Sequence, residues 1–162
     1  MRLNGRRFQS RNGRAVYQNR EILLLRPLTF MNRSGLSIKA CRDFHRLKTE
    51  HILVVHDDID LPVGRVRVVR EGGSGGHRGV LSIMDELGSH AFGRVKIGVG
   101  RPRCGESIET YVLSPFYKEE REVIEEMIRW SVQACGLFVS EGAGSAMNQI
   151  NTKNPAYKEV TN

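Results

Sequence analysis

With 162 residues, of which 40% are hydrophobic and 27% charged, the chain has the length and composition of one globular domain with its own core. No apolar run approaches the ~20 residues of a membrane span and no charged-then-apolar leader opens the chain, so we expect a cytoplasmic protein with no membrane partner. Three cysteines without C-x-x-C spacing favour neither a disulfide framework nor a zinc site.

Positive charge is concentrated at the start of the chain. The formal net charge is +7, and residues 1–26 hold seven arginines against one acid, Glu21, which leaves +6 in that segment alone. Such a block is either a phosphate-contacting surface or a solvated flexible arm, and no aromatic ladder for stacking single strands accompanies it. We treat residues 1–20 as a basic segment in which only residues 15–17 indicate extended structure.

Strands and helices alternate through the middle of the chain. Residues 21–25 predict a strand, residues 29–35 a loop, and apolar residues at helical spacing predict a helix over residues 36–51. Two β-branched runs, at residues 52–55 and 63–69, predict further strands. This order predicts an α/β fold, a single domain in which a twisted mixed β-sheet is flanked by helices.

The second half continues the alternation. A short amphipathic helix over residues 80–87 ends at Gly88, and residues 94–100 predict a strand whose Gly98 indicates a close backbone approach. The remaining predicted elements are an extended piece at 110–113, a long helix capped near Ser114 whose apolar stripe indicates core packing, a helix at 145–151 and a polar tail at 152–162 that we expect to fray.

Acidic residues follow the strand at residues 52–55. In the segment His-Asp-Asp-Ile-Asp, strand alternation directs Asp57 and Asp58 to opposite sides, so one of them faces a cleft. A carboxylate beside an imidazole stabilises the imidazolium, as in hydrolytic triads. Alternatively, His56 and the three acids could hold Mg²⁺ with substrate phosphates, or Asp58 and Asp60 could cap the turn that follows.

Two other polar segments lie where predicted elements begin or end. Residues 72–79, GGSGGHRG, open a predicted helix, whose free backbone N–H groups and dipole could bind a phosphate or an oxyanion. The segment lacks the Gly-Lys-Ser/Thr of a P-loop, and a flexible connection is the alternative. Asn32 follows the strand at residues 21–25, and its amide could orient a water or carbonyl, or cap the next helix.

Three of these segments together resemble one family in order and spacing. They read LRPLTFMNRSG at 25–35, VHDDIDLPVG at 55–64 and GGHRG at 75–79, and they are similar to segments of the bacterial peptidyl-tRNA hydrolases. Shorter matches, IGVGRP at 97–102, YVL at 111–113 and AMN at 146–148, extend the resemblance over residues 21–151. The resemblance implies one peptidyl-tRNA hydrolase-like domain over residues 1–162.

The implied activity is hydrolysis of the ester that joins a peptide to the terminal ribose of tRNA. The resemblance implies tRNA as the partner, no metal and no organic cofactor, and we expect a monomer. It implies that Asp57 stabilises a histidine base, that Asn32 helps to position the substrate and that Phe30 contacts the tRNA end. His77 and Arg78 complete the substrate-binding candidates, although the family has Asn where Arg78 stands, and a guanidinium cannot accept a hydrogen bond.

The family's base histidine lies in a T-R-H-N segment after an N-P-G turn, and neither motif occurs in residues 1–162. We therefore expect a peptidyl-tRNA hydrolase whose sequence begins late and whose first central strand is missing, which the nucleotides upstream of Met1 would test. The histidines that are present are expected to be structural. A non-catalytic RNA-binding relative is the alternative, and a metal-dependent phosphohydrolase is a third hypothesis.

Overall fold

The computed structural model describes residues 3–103 and 105–153, so Cys104 and most of the tail expected to fray lie outside the described residues. The chain divides into two compact units, which we describe separately. The first comprises Met1–Val54 and Arg70–Gly93, and the second Val55–Val69 and Arg94–Asn162. Whether both units belong to the expected single domain stays a prediction.

An antiparallel sheet opens the first unit. Strands β1 (Gly5–Arg7), β2 (Ser10–Tyr17) and β3 (Arg20–Pro27) pair in that order. The two-residue turns between them, Phe8-Gln9 and Gln18-Asn19, have φ values of 56°, 50°, 47° and 61°, the left-handed conformation that tight hairpins need. From Gly5 onward, the basic segment is therefore folded into strands and is not a flexible arm.

Two α-helices and two 3-10 helices complete the described part of the first unit. A short 3-10 helix (Met31–Arg33) leads into α1 (Ser34–His45). This helix ends earlier than the predicted residue 51, because the backbone of Arg46 adopts the left-handed conformation, with a φ of 51°. A second 3-10 helix (Thr49–His51) follows, and α2 (Arg78–Leu87) ends at left-handed Gly88, as predicted. The core is buried between these elements and consists of Val80, Ile83, Met84, Leu87 and Phe92, with Ile38, Ile52 and Val54 packed against it.

A mixed sheet is built from β4 (Leu53–Asp58), β5 (Val66–Val69) and β6 (Gly93–Gly98), in the order β4-β6-β5. Strands β5 and β6 are antiparallel. The backbone N–H of Gly93 donates to Ile52 O at 3.0 Å and that of Val99 donates to Asp58 O at 3.1 Å, so β4 and β6 run in the same direction. β4 starts in the first unit, and its acidic end belongs to the second.

Among the described residues, the second unit has three α-helices, α3 (Ile108–Leu113), α4 (Arg121–Glu141) and α5 (Ala143–Lys153), and a 3-10 helix, Lys118–Glu120, that leads into α4. The extended piece predicted at 110–113 is wrong, because the Ser107 hydroxyl accepts from the backbone N–H of Thr110 at 3.2 Å and caps a helix there. Ser114 ends that helix and does not cap the long one. The Asn151 side chain pins α5 to β5 through both backbone groups of Val68, at 2.8 and 2.9 Å.

The α/β class and the mixed strand directions are confirmed, and α1, α4 and α5 contact strands of their own units. The strands form two three-stranded sheets and not one continuous sheet. Within residues 3–103 and 105–153, no strand pairs with members of both sheets. Of the helices in this described part, none is both long and apolar enough to cross a membrane.

Candidate functional site

Asp58 ends β4 in the second unit and is occupied by structural contacts. Its carboxylate lies 2.5 Å from Lys96 Nζ on β6 and accepts from the backbone N–H of Asp60 at 2.8 Å. Burial raises the pKa of Asp58, but the hydrogen bonds from Lys96 and Asp60 and the lysine charge outweigh it, so the pKa lies below its usual value. The prediction that Asp58 caps the following turn is confirmed.

Asp57 precedes Asp58 and is half-buried at the end of β4. Since successive side chains of a strand point to opposite sides, Asp57 lies on the other side of the strand from the pair formed by Asp58 and Lys96. It is therefore the candidate carboxylate of the two. Sequence reasoning missed Lys96, and the available signal was one lysine between apolar residues on a predicted strand.

The other members of the acidic segment also have protein partners. His56 is buried, and its Nδ1 donates to the carbonyl of Asp57 at 2.6 Å, because a carbonyl oxygen can only accept. The carboxylate of Asp60 pairs with the guanidinium of Arg101. In the described ranges no cluster of three or more His, Cys, Asp or Glu side chains could hold a metal ion, so the magnesium interpretation has no geometric basis.

Phe30 and Asn32 lie on the surface of the first unit, where β3 gives way to α1. The Phe30 side chain is 80% exposed, and Asn32 is exposed on the 3-10 helix. The cap residue of α1 is Arg33, with no side-chain cap hydrogen bond, so the interpretation of Asn32 as the cap of this helix is wrong. Its amide is not used to hold the helix end.

His77 caps α2. Its Nδ1 accepts from the backbone N–H groups of Gly79 and Val80, both at 3.1 Å, after a turn in which Gly75 and Gly76 have φ values of 59° and 78°. Two of the N–H groups predicted to be free for an anion are therefore engaged by the imidazole. Arg78, the first residue of α2, is exposed.

The first unit brings the Asn32 and His77 segments together. The 3-10 helix contacts α2, and a Cβ added to Gly79 would lie 2.5 Å from Met31 Sδ and 2.9 Å from His77 Cε1. Only a residue without a side chain allows this approach. Phe30, Asn32, His77 and Arg78 are thus carried by neighbouring segments of one unit, whereas Asp57 belongs to the other.

The chain is similar to known proteins over most of its length. A family model described as "Peptidyl-tRNA hydrolase" matches residues 1–158. A peptidyl-tRNA hydrolase of Desulfitobacterium hafniense (strain Y51) is 41% identical over 145 residues, which are 90% of this chain and 78% of the relative. One of Bacillus subtilis (strain 168) is 38% identical over 151 residues, 93% of this chain and 80% of the relative.

A solved structure agrees with these relatives. The crystal structure of peptidyl-tRNA hydrolase from Acinetobacter baumannii is similar to this chain with a TM-score of 0.86 and 33% sequence identity. The match covers 94% of this chain and 78% of the crystallised chain. Sequence and fold therefore point to the same relatives.

Proposed function

This chain belongs to the peptidyl-tRNA hydrolase family, and we infer that it hydrolyses the ester bond of peptidyl-tRNA, releasing the peptide and a tRNA that translation can use again. The match of the family model to residues 1–158 carries this conclusion. Relatives that are 38–41% identical over at least 90% of the chain support it.

Ester hydrolysis needs a base that takes a proton from water and dipoles that stabilise the developing oxyanion. We assign to Asp57 the stabilisation of the family's histidine base, since a carboxylate favours the imidazolium form. That histidine belongs to a T-R-H-N segment, which residues 1–162 do not contain. Asp58 does not suit this role, because Lys96 and the backbone of Asp60 already hold its carboxylate.

The remaining candidates serve substrate binding. We propose that Phe30 contacts the end of the tRNA, because its exposed ring offers a face on which a terminal base can stack. We propose that Asn32 positions the substrate, because its amide can both donate and accept hydrogen bonds. The exposed guanidinium of Arg78 can bind a phosphate of the substrate. His77 caps the N-terminus of α2, which carries Arg78. The contact between the 3-10 helix and α2 supports this grouping.

We further propose that the protein acts as a monomer in the cytoplasm, where translation supplies peptidyl-tRNA. Its net charge of +7 favours association with a polyanion such as tRNA. Sedimentation of the free chain tests the first proposal, with a mass near 18.3 kDa expected.

The decisive experiment uses a full-length version of the chain that includes the T-R-H-N segment and so supplies the histidine base. It measures turnover of a tRNA that carries an N-blocked aminoacyl group, followed by the appearance of free tRNA. We expect ester cleavage that a chelator does not change. Binding of tRNA without cleavage, even at high protein concentration, would overturn this function in favour of the non-catalytic RNA-binding alternative.

A further inference from the structure

A row of three arginines crosses the antiparallel sheet of the first unit. In the observed register Arg6 on β1 lies opposite Arg11 on β2, and Arg11 lies opposite Arg26 on β3. Directly opposed residues of antiparallel strands project from the same face, and adjacent strands are about 4.8 Å apart, so the row spans about 10 Å. All three residues are exposed.

The row lies on the outward face of this sheet. Strand alternation puts Ser10 and Asn12 on the opposite face from Arg11, and Ser10 is buried. Leu24, opposite Gly13 in the register, lies on the arginine face and is 47% exposed. The arginines therefore stand on a surface that the first unit leaves to solvent.

Within the described residues no acid neutralises the row, since Arg6, Arg11 and Arg26 make no ion pair there. Elsewhere the chain does pair its arginines with acids, as in Arg42–Asp43 and Arg121–Glu125. Like charges directly opposite each other oppose strand pairing, so the row works against the sheet that carries it. A row of exposed like charges that lowers the stability of its own sheet is therefore consistent with the binding of an anion from outside the protein.

We propose that the row Arg6–Arg11–Arg26 binds the phosphate backbone of tRNA. The identity of the nucleic acid rests on the proposed function, whereas the need for a polyanion rests on the row itself. A line of guanidinium groups complements a sugar-phosphate strand, because each can bind a phosphate through two N–H groups. Such contacts position the RNA without reading its sequence.

Binding of deacylated tRNA as a function of salt tests the proposal. Each phosphate contact contributes about 0.7 to 0.9 to the slope of log Kobs against log salt. The triple variant Arg6→Gln/Arg11→Gln/Arg26→Gln should therefore lower the slope by about 2 to 3, and Arg11→Gln alone by about 0.7 to 0.9. Removing like charges relieves repulsion, so both variants should fold, which thermal unfolding verifies.

Arg14→Gln is the matched control. Arg14 is exposed on the same strand as Arg11 but on its opposite face, and the charge change is identical. We expect its salt slope to equal that of the wild type. An equal fall for Arg14→Gln and Arg11→Gln would overturn the proposal, because the effect would then be general charge.

Three other results would also overturn it: an unchanged slope for the triple variant, no binding of tRNA by the wild type, or loss of binding to anionic phospholipid vesicles while tRNA binding is kept. The test is independent of cleavage. A chain that binds tRNA through the row but does not hydrolyse the ester retains this inference and loses the proposed function. Hydrolysis of the ester, with a salt slope for the triple variant equal to that of the wild type, would support the proposed function and overturn the inference about the arginine row.

Discussion

Asp57 and Asp58 are chemically identical neighbours whose surroundings separate their roles. Asp58 is paired with Lys96 and accepts a backbone N–H, whereas strand alternation directs Asp57 to the other side of β4. The acidic segment thus combines one carboxylate that stabilises the turn with one that we assign to the reaction. Both were candidates from the sequence, and the contact with Lys96 distinguishes them.

In a full-length version that includes the T-R-H-N segment, replacing Asp57 with Ala should lower the rate of peptidyl-tRNA hydrolysis on the order of 10²-fold, because the base loses the charge that stabilises its imidazolium. Binding of deacylated tRNA should change little, since Asp57 is not assigned to the tRNA. Turnover and tRNA affinity are measured side by side. Asp60→Ala, which removes an exposed carboxylate three residues away, is the control, and an equal rate for Asp57→Ala and the wild type would remove Asp57 from the site.

Asp58→Asn should lower the free energy of unfolding at pH 7 by about 1–3 kcal/mol, because Lys96 loses its charged partner. The pKa of Asp58 is lower in the folded state than its unfolded value of about 3.9, so its stabilisation is present above that value and is lost as the pH falls through the folded pKa. Urea unfolding of both proteins from pH 7 into the acid range measures the difference.

The gap between Asp58→Asn and the wild type should therefore shrink in acid. Asp85→Asn on α2 removes an exposed carboxylate that makes no ion pair within the described residues, and it should show no such gap. A gap of constant size from pH 7 into acid would contradict the role of the ion pair.

In α2, the side chain of His77 takes the place of the anion expected at the helix start. The glycine-rich turn at 72–79 predicts free N–H groups at a helix start, and α2 does begin there. Its N-cap is His77, whose Nδ1 accepts from two of those groups. The glycine-rich turn therefore ends in a capped helix start. Arg78, the first residue of α2, places an exposed positive charge there.

His77→Ala should lower the free energy of unfolding by about 1 kcal/mol, because two backbone N–H groups lose their acceptor. His77→Asn should retain most of the stability, since the Asn side-chain oxygen is a good helix cap. Urea midpoints of the three proteins give the comparison. Equal losses for Ala and Asn would mean that the ring itself, and not the cap, stabilises α2.

The packing of α1 on α2 depends on Gly35. A Cβ at this position would lie 2.1 Å from the carbonyl oxygen of Ser82, which is backbone and cannot move aside cheaply. We expect Gly35→Ala to cost about 1–3 kcal/mol of stability, as overpacking does. Gly144→Ala in α5, with nothing within 4 Å of the new Cβ, should be neutral or stabilising in the same thermal measurement. Similar losses at both glycines would refute the packing argument.

The described residues form two compact units and two sheets, whereas the length of the chain predicts one domain. The units carry separate natural reporters. Buried Cys41 belongs to the first unit, and the single tryptophan, Trp130, belongs to the second. Their unfolding can therefore be followed independently.

If residues 1–162 are one domain, Trp130 fluorescence and Cys41 labelling should give the same urea midpoint, because two-state unfolding exposes both together. The measurement uses Cys104→Ser/Cys135→Ser, so that Cys41 is the remaining thiol. Midpoints that differ would show that the two units unfold as separate domains.

Local sequence determined the elements whose signals lie within the elements themselves. Alternation predicted β3 and β6, and helical spacing with a following glycine predicted α2 and its end at Gly88. The segments at 25–35, 55–64 and 75–79 were enough to indicate the family, because such motifs can be recognised from residue order and spacing without knowledge of the tertiary contacts. The same local signals failed at α3, where a serine cap outweighed an apparent extended pattern.

The tertiary structure decided which of these residues meet. The pairing of Asp58 with Lys96 and the approach of Gly35 to Ser82 join positions far apart in the chain. The alignment of Arg6, Arg11 and Arg26 depends on the register of two successive hairpins. No local period encodes them, because each depends on strand register or helix packing. The sequence therefore determined the candidate residues and the family, and the fold decided that Lys96 holds Asp58 and that three arginines form a surface.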